Sequence, residues 1–261
     1  WFGTCTDIHD RRLAEDRQAF LLGLNDRLRE ADHPHAVTLA AAAALGAHLG
    51  AARAGYGEID ETGEIVRVER DWTRDPSVTS LAGESRILDG FGPAVIAELR
   101  AGQILVVEDC YADPRAGRTY AATWDSIGCR SLVVVPLLSD GRLRAILYRH
   151  EPKPRLWRAE EIGLVEDVAQ RVGHAAERAR AEQSERANAR ELRLITDSLP
   201  VLIAFFDADG LCRFANAASA DWFGTSPAQA LGQTLAALVG PQASAEAQAR
   251  FYASLNAPFV G

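Results

Sequence analysis

The sequence predicts an α+β fold: an antiparallel sheet with helices on its faces, continued by one long helix into a second, smaller α+β unit. Three observations carry this. Strand-like runs flank two hairpin turns, at residues 61–63 and 140–141. A helical stretch covers residues 159–197, with no Pro and with Gly only at 163 and 173. Behind it, an apolar run over residues 201–208 ends at Asp209 and Gly210 and meets a partner run at residues 212–215. The 261 residues are 48% hydrophobic and 25% charged, an ordinary globular composition with enough chain for two domains.

Residues 1–8 mix apolar and small polar types like the end of a strand. A helix is expected from near Asp10 to Ala31, because Leu13, Phe20, Leu24 and Leu28 recur at helical spacing. Pro34 breaks it and opens a second, Ala-rich helix over residues 35–50, expected to lie flat against a sheet. Strands follow at residues 54–60 and 64–72, then a long polar loop over 73–89. Residues 91–100 read as a helix with Pro93 in its first turn and Gly102 behind it. Residues 103–108 read as a strand, 120–127 as a short helix, and 131–138 and 143–150 as two strong strands. Short helices are expected at residues 217–224 and 226–232, and a longer one at 243–255.

In the long helix, Ile162, Val165, Val168, Val172, Ala175 and Ala179 alternate three- and four-residue steps. So narrow a stripe suits a parallel two-stranded coiled coil better than a broad core face. Val165, Val168, Val172, Ala175 and Ala179 are therefore the expected dimer seam, which resumes out of phase at Leu192, Ile195 and Leu199.

Composition excludes several classes. With 28 basic and 36 acidic residues the chain carries a net charge of −8, a poor match for a nucleic-acid backbone. The most apolar run, residues 36–52, is shorter than the ~20 residues a bilayer core requires, and no leader peptide is spelled at the N-terminus. Cys5, Cys110, Cys129 and Cys212 are scattered and form no CxxC, which suits free thiols in a reducing cytoplasm. A chain that starts at Trp1 without Met is expected to be a portion of a longer protein. It holds no Met at all, for which composition offers no reason.

The order helix, hairpin, long loop, helix, strand, helix, hairpin, long helix resembles a GAF domain over residues 35–176. The local strings that carry this are residues 104–109 with Asp113, Pro114 and Arg115, residues 131–138 followed by Gly141, and Trp157 before Glu160 and Glu161. Residues 192–261 resemble the first part of a PAS domain through Ser198, Leu199 and Pro200, Phe206 and Asp207, Asn216, Phe223 and Gly224. Residues 1–12 are similar to the exit of another PAS domain, with His9 where Thr is usual. The implied division is 1–12 as a PAS end, 13–33 as a linker helix, 34–157 as the GAF domain, 158–198 as a signalling helix and 199–261 as a truncated PAS domain. In these families such strings stand upstream of a histidine kinase or, less often, another output domain.

No phosphate loop, nucleophile elbow, HExxH or EF-hand is present, and no metal-ligand cluster is spelled. His174 lacks the neighbours of a phosphoacceptor and reads as a helix-surface residue. The resemblance gives covalent bilin no support, since Cys110 precedes Tyr111, Cys129 precedes Arg130, and neither neighbours a His. It gives flavin none either: Cys212 sits on a strand, outside any light-sensing motif. His150 ends a strand before Glu151 and Pro152 and is expected to face solvent; Asn216 is expected to cap the helix behind it. By position in the GAF fold, Trp72, Phe91, Tyr111, Tyr120 and Trp124 are the candidates to line a pocket, with Arg130 as an anion contact; the ligand itself is not named by the residues.

The expected function is therefore sensory and signal-relaying: a cytoplasmic chain, paired as a parallel homodimer, upstream of a kinase or other output beyond residue 261. The alternative is a thiol redox enzyme acting through Cys110 or Cys129.

Overall fold

A computed structural model describes residues 5–239, with side chains from residue 11 onward. Of the expected PAS end at residues 1–12 only the first four fall outside this span, and the expected helix at 243–255 falls wholly outside it. The chain forms two units, residues 1–182 and 183–261, each with its own packing.

The first unit opens with two helices, α1 (Cys5–Glu30) and α2 (Pro34–Leu49). Residues 5–8 are therefore helical, not the strand end expected of them. Pro34 sits in the first turn of α2, where its missing N–H costs nothing, and Gly50 closes the helix in the left-handed conformation at φ 58°.

Seven strands follow, all antiparallel: β1 (Arg53–Ile59), β2 (Ile65–Val68), β3 (Asp71–Thr73), β4 (Glu84–Ile87), β5 (Leu105–Val107), β6 (Ser131–Ser139) and β7 (Arg142–Glu151). Their order across the sheet is β4-β2-β1-β7-β6-β5, with β3 also on β1. The expected strand over 64–72 is split into β2 and β3, both paired with β1, and the register slips one residue between them, as at a bulge. The loop expected over 73–89 contains β4, an edge strand with one large apolar residue and no alternation to betray it. The β6–β7 turn places Asp140 and Gly141 at φ 51° and 72°, the left-handed pair that such a hairpin requires. Two short helices, α3 (Pro93–Arg100) and α4 (Ala121–Ser126), lie on the connections.

Strand alternation gives the sheet two cores. On one face Ala54, Val133, Val135, Ala145 and Leu147 meet α1, α2 and the long helix α5 (Ala159–Ser198). On the other, Leu132, Val134, Ile146 and Tyr148 meet α3, α4 and their loops. Gly46 lets α2 lie close, since a Cβ there would overlap the Trp72 ring.

The start of α5 is anchored by charge. Arg149 on β7 is 1% exposed and reaches Glu161 at 2.9 Å, Glu151 at 3.1 Å and the Leu49 carbonyl at 3.1 Å. Arg155 joins the same Glu161 at 2.7 Å, and both guanidinium groups lie over the Trp157 ring, at 5.0 and 4.4 Å. Burial opposes ionisation of Glu161, but the Arg158 N–H and these arginines outweigh it and hold the carboxyl below its ordinary range.

The expected dimer seam needs correction. Val165, Val168 and Val172 are fully buried, and Ala175 and Ala179 nearly so, against Leu24, Val37, Leu45 and the sheet of their own chain. A narrow apolar stripe fits the groove between α1, α2 and the sheet as well as it fits a second helix. Beyond residue 182, Leu192 and Ile195 are exposed.

The second unit holds the end of α5, the hairpin β8 (Ala204–Phe206) and β9 (Cys212–Ala215), and the short helices α6 (Ser219–Phe223), α7 (Pro227–Ala230) and α8 (Leu235–Val239). Ser226 and Gln229 cap α7 reciprocally. Asn216 is fully buried, and its side chain does not cap α6. Its amide donates to the Thr196 and Val201 carbonyls at 2.7 and 2.8 Å, and its oxygen accepts from Ile203 N–H at 2.9 Å. It ties the end of α5 to the hairpin.

Candidate functional site

The sheet face away from α5 closes over a cavity of about 60 Å³. That is far below the ~300 Å³ at which drug-sized pockets begin. Its wall is mostly apolar, with Leu88, Phe91, Val95, Leu105 and Ile146 among the contributors. The polar exceptions are Glu84 and Arg86, ion-paired to each other, and Trp124, Tyr148 and His150.

The polar end is built by alternation on two neighbouring strands. Arg53, Gly55 and Gly57 share one face of β1, and Ile146, Tyr148 and His150 share the same face of β7. The glycines are required by that crowding: a Cβ on Gly55 would overlap the Tyr148 ring, and one on Gly57 would overlap Val66. Arg53 is 1% exposed. It donates to the Ile127 carbonyl at 2.7 Å, the Thr79 carbonyl at 2.5 Å and His150 Nδ1 at 2.9 Å. A guanidinium has no acceptor, so Nδ1 of His150 must accept and its proton sits on Nε2. The His150 ring stacks on Tyr148, centroids 4.4 Å apart. Burial, helped by the Arg53 charge, pushes His150 well below the ordinary 6.5. Burial, with the nearby Asp71 carboxylate, pushes Tyr148 well above 10.0. The solvent-facing role expected of His150 is thus overturned.

This fixes a pH dependence. Above about pH 6.5 His150 is neutral in both folded and unfolded chains, and its contribution is constant. As pH falls below that value the unfolded chain binds a proton the folded site refuses, so stability declines, by up to about 1.4 kcal/mol per pH unit. Urea unfolding of the wild type and of His150→Gln from pH 7 to 5 checks this. The variant's pH slope is expected to be the flatter, and equal slopes would remove His150 as its source. Asp109, Asp113 and Glu161, all held below their ordinary values, act only at lower pH.

Of the six pocket candidates, Phe91 and Trp124 line the cavity, with ring centroids 4.9 Å apart. Trp72 lies on the opposite sheet face, against α2. Tyr111 and Tyr120 pack on the same core as the cavity without lining it. Arg130 stacks on Tyr111 at 3.9 Å and pairs with Asp109 at 2.8 Å, so its charge is already met. Arg53 and Tyr148 were missed, and His150 was placed in solvent. Their signal was the period-2 pattern that puts them beside Gly55, Gly57 and Ile146.

Cys110 and Cys129 are both buried free thiols and neither lines the cavity. Burial, with the neighbouring Cys110, pushes the Cys129 thiol well above 9.0, the reverse of what activates a nucleophile.

Comparison with known proteins agrees with this architecture. The GAF domain family model matches residues 33–176, and a PAS fold model matches residues 196–256. No curated protein matches the chain. Among solved structures, the chromophore-binding domain of an unusual bacteriophytochrome from R. palustris superposes with a TM-score of 0.55 at 15% identity. That match covers 64% of this chain and 63% of the other, so the chain spans less than two thirds of it. A phycoerythrobilin-bound GAF domain from a cyanobacterial phytochrome gives 0.56 at 17%, covering 64% and 97%. The free methionine-R-sulfoxide reductase of Neisseria meningitidis, solved with its substrate, gives 0.51 at 18%, covering 64% and 91%. At these identities the likeness is one of fold.

Proposed function

This chain belongs to the GAF domain family, and from that membership we propose that it is the sensory and relay region of a cytoplasmic signalling protein, its GAF cavity taking up a small molecule. The observation that carries the reading is the cavity itself, on one face of a sheet whose other face holds the long helix. On this reading α1 and α5 relay the state of the GAF domain toward an output domain, a histidine kinase being our first choice. Two chains pair in parallel through the helices. Exposed Leu192 and Ile195 near the end of α5 and Leu199 just after it support that pairing, as do Leu13 and Leu22 on α1.

The bilins named for the phytochrome relatives do not fit this site. A cavity of about 60 Å³ cannot enclose four pyrrole rings, and no Cys lines it. The thiol redox alternative gains nothing from two buried thiols, one of them pushed up. Rapid labelling of Cys110 or Cys129 in the folded chain would be needed to revive it.

Native mass spectrometry of the purified chain, with a visible spectrum of the same sample, tests the proposal. A dimer that gains a small non-covalent mass is the expected result. A dimer of bare mass under every added metabolite mixture would leave only a scaffold, and a monomer would defeat the helical relay.

A further inference from the structure

The cavity wall is unbalanced in its hydrogen-bonding chemistry. The lining residues include N–H and O–H donors: Trp124 with its Nε1, His150 with the proton on Nε2, and Tyr148 with its hydroxyl. Trp124 is 3% exposed, and its indole N–H has no partner among the described residues. Behind His150 stands Arg53, permanently charged and 1% exposed, whose Nε is also without a partner. Its other contacts are two backbone carbonyls and the His150 ring. Among the described residues no carboxylate lies within ion-pair distance of Arg53. Asp71, on the neighbouring strand β3, accepts from the Tyr148 hydroxyl at 3.5 Å and also from Ser80 and from Leu81 N–H.

A buried cation without a counter-charge is costly, and an unpartnered buried N–H adds to that cost. An anion beside these donors would offset both. Apart from the Glu84–Arg86 ion pair, the rest of the wall (Val68, Leu88, Phe91, Val95, Ile96 among others) is aliphatic or aromatic and would take a short apolar tail. The volume of about 60 Å³ limits the whole occupant to a few non-hydrogen atoms.

We propose that the GAF cavity binds a short-chain aliphatic carboxylate of about propionate size. Its carboxylate would lie at the Arg53–His150–Trp124 end and its alkyl tail against Phe91 and Val95. This rests on the sensory reading above and names the chemical class of its ligand. No covalent step is involved.

The test is titration of the full chain with sodium propionate, followed by isothermal calorimetry and by the thermal midpoint, against 1-propanol and propylammonium chloride at matched ionic strength. Propionate is expected to bind at least about tenfold more tightly than 1-propanol, the scale of a charge-assisted hydrogen bond. Propylammonium is expected not to bind. Trp124→Phe keeps the ring and removes the N–H, and should weaken propionate several-fold while leaving 1-propanol unchanged. Arg53→Lys, a milder change than removing the charge, should weaken propionate more; a variant that melts below the wild type is read only from its ratio of propionate to 1-propanol affinity. Equal affinities for propionate and 1-propanol would overturn the anion assignment while leaving a small-molecule cavity standing. Failure of all three probes to bind would overturn the propionate assignment, while the sensory reading is overturned only by bare mass under every metabolite mixture in the mass-spectrometric test.

Discussion

Val168→Asp is expected to abolish cooperative unfolding of residues 1–182. Val168 is fully buried in the apolar core where α5 meets α1, α2 and the sheet. The substitution removes apolar contact and asks the core to hold a charge or its protonated form. Either outcome costs more than about 4 kcal/mol, a large part of a domain's total stability of roughly 5–15 kcal/mol. Circular dichroism and a thermal melt read the effect. The informative control is Leu192→Asp on the same helix. Leu192 is 63% exposed, so its melt should stay within about 0.5 kcal/mol of the wild type, while any pairing through that part of α5 is weakened. Were Val168 instead a seam residue, Val168→Asp would yield a folded monomer, and the two variants would behave alike.

The second large effect is expected at Arg149. Arg149→Met keeps the apolar stem and removes the buried guanidinium that joins β7 to Leu49, Glu151 and Glu161. Breaking a buried ion pair from one side costs about 3–5 kcal/mol, because the abandoned carboxylates remain buried. Arg155 still reaches Glu161, which argues for the lower end, about 3 kcal/mol. Urea unfolding of Arg149→Met, Glu161→Gln and the double variant checks this. The double variant should cost less than the two singles together, since both act on one network. A loss under about 1 kcal/mol in the single would mean that the network contributes little beyond geometry.

Much of the fold was legible because turns and strands announce themselves. Asp140 and Gly141 between two Val- and Leu-rich runs specify a hairpin, and Pro34 and Pro93 mark helix starts. Other elements were silent for physical reasons. β4 pairs on one side only, and Glu84, Ser85 and Arg86 carry no apolar alternation. The stripe on α5 was found correctly as a stripe, but periodicity reports that a face is buried, not which chain buries it. The site was harder. Aromatic residues suggested the cavity and two of them line it, yet its polar lining includes His150, held from behind by Arg53, types that in a sequence read as surface. Asn216 was recognised as structural but given the wrong partners, since the Thr196, Val201 and Ile203 groups it binds are brought to it only by the folded hairpin.

Strand β7 gives this architecture a short lever. Arg149 and His150 are consecutive, and the pleat turns them to opposite sides of the sheet. One grips Glu161 in the first turn of α5; the other is part of the cavity wall. The two cores are therefore separated along the backbone by a single peptide link, which is stiff and planar. On the relay proposed above, a guest that shifts the His150 backbone would turn that plane, and the same turn would swing the root of Arg149. The fulcrum lies in the sheet, where β7 is held on both sides by β1 and β6. On that proposal a displacement too small to alter the fold would arrive at the first turn of α5 as a change of angle.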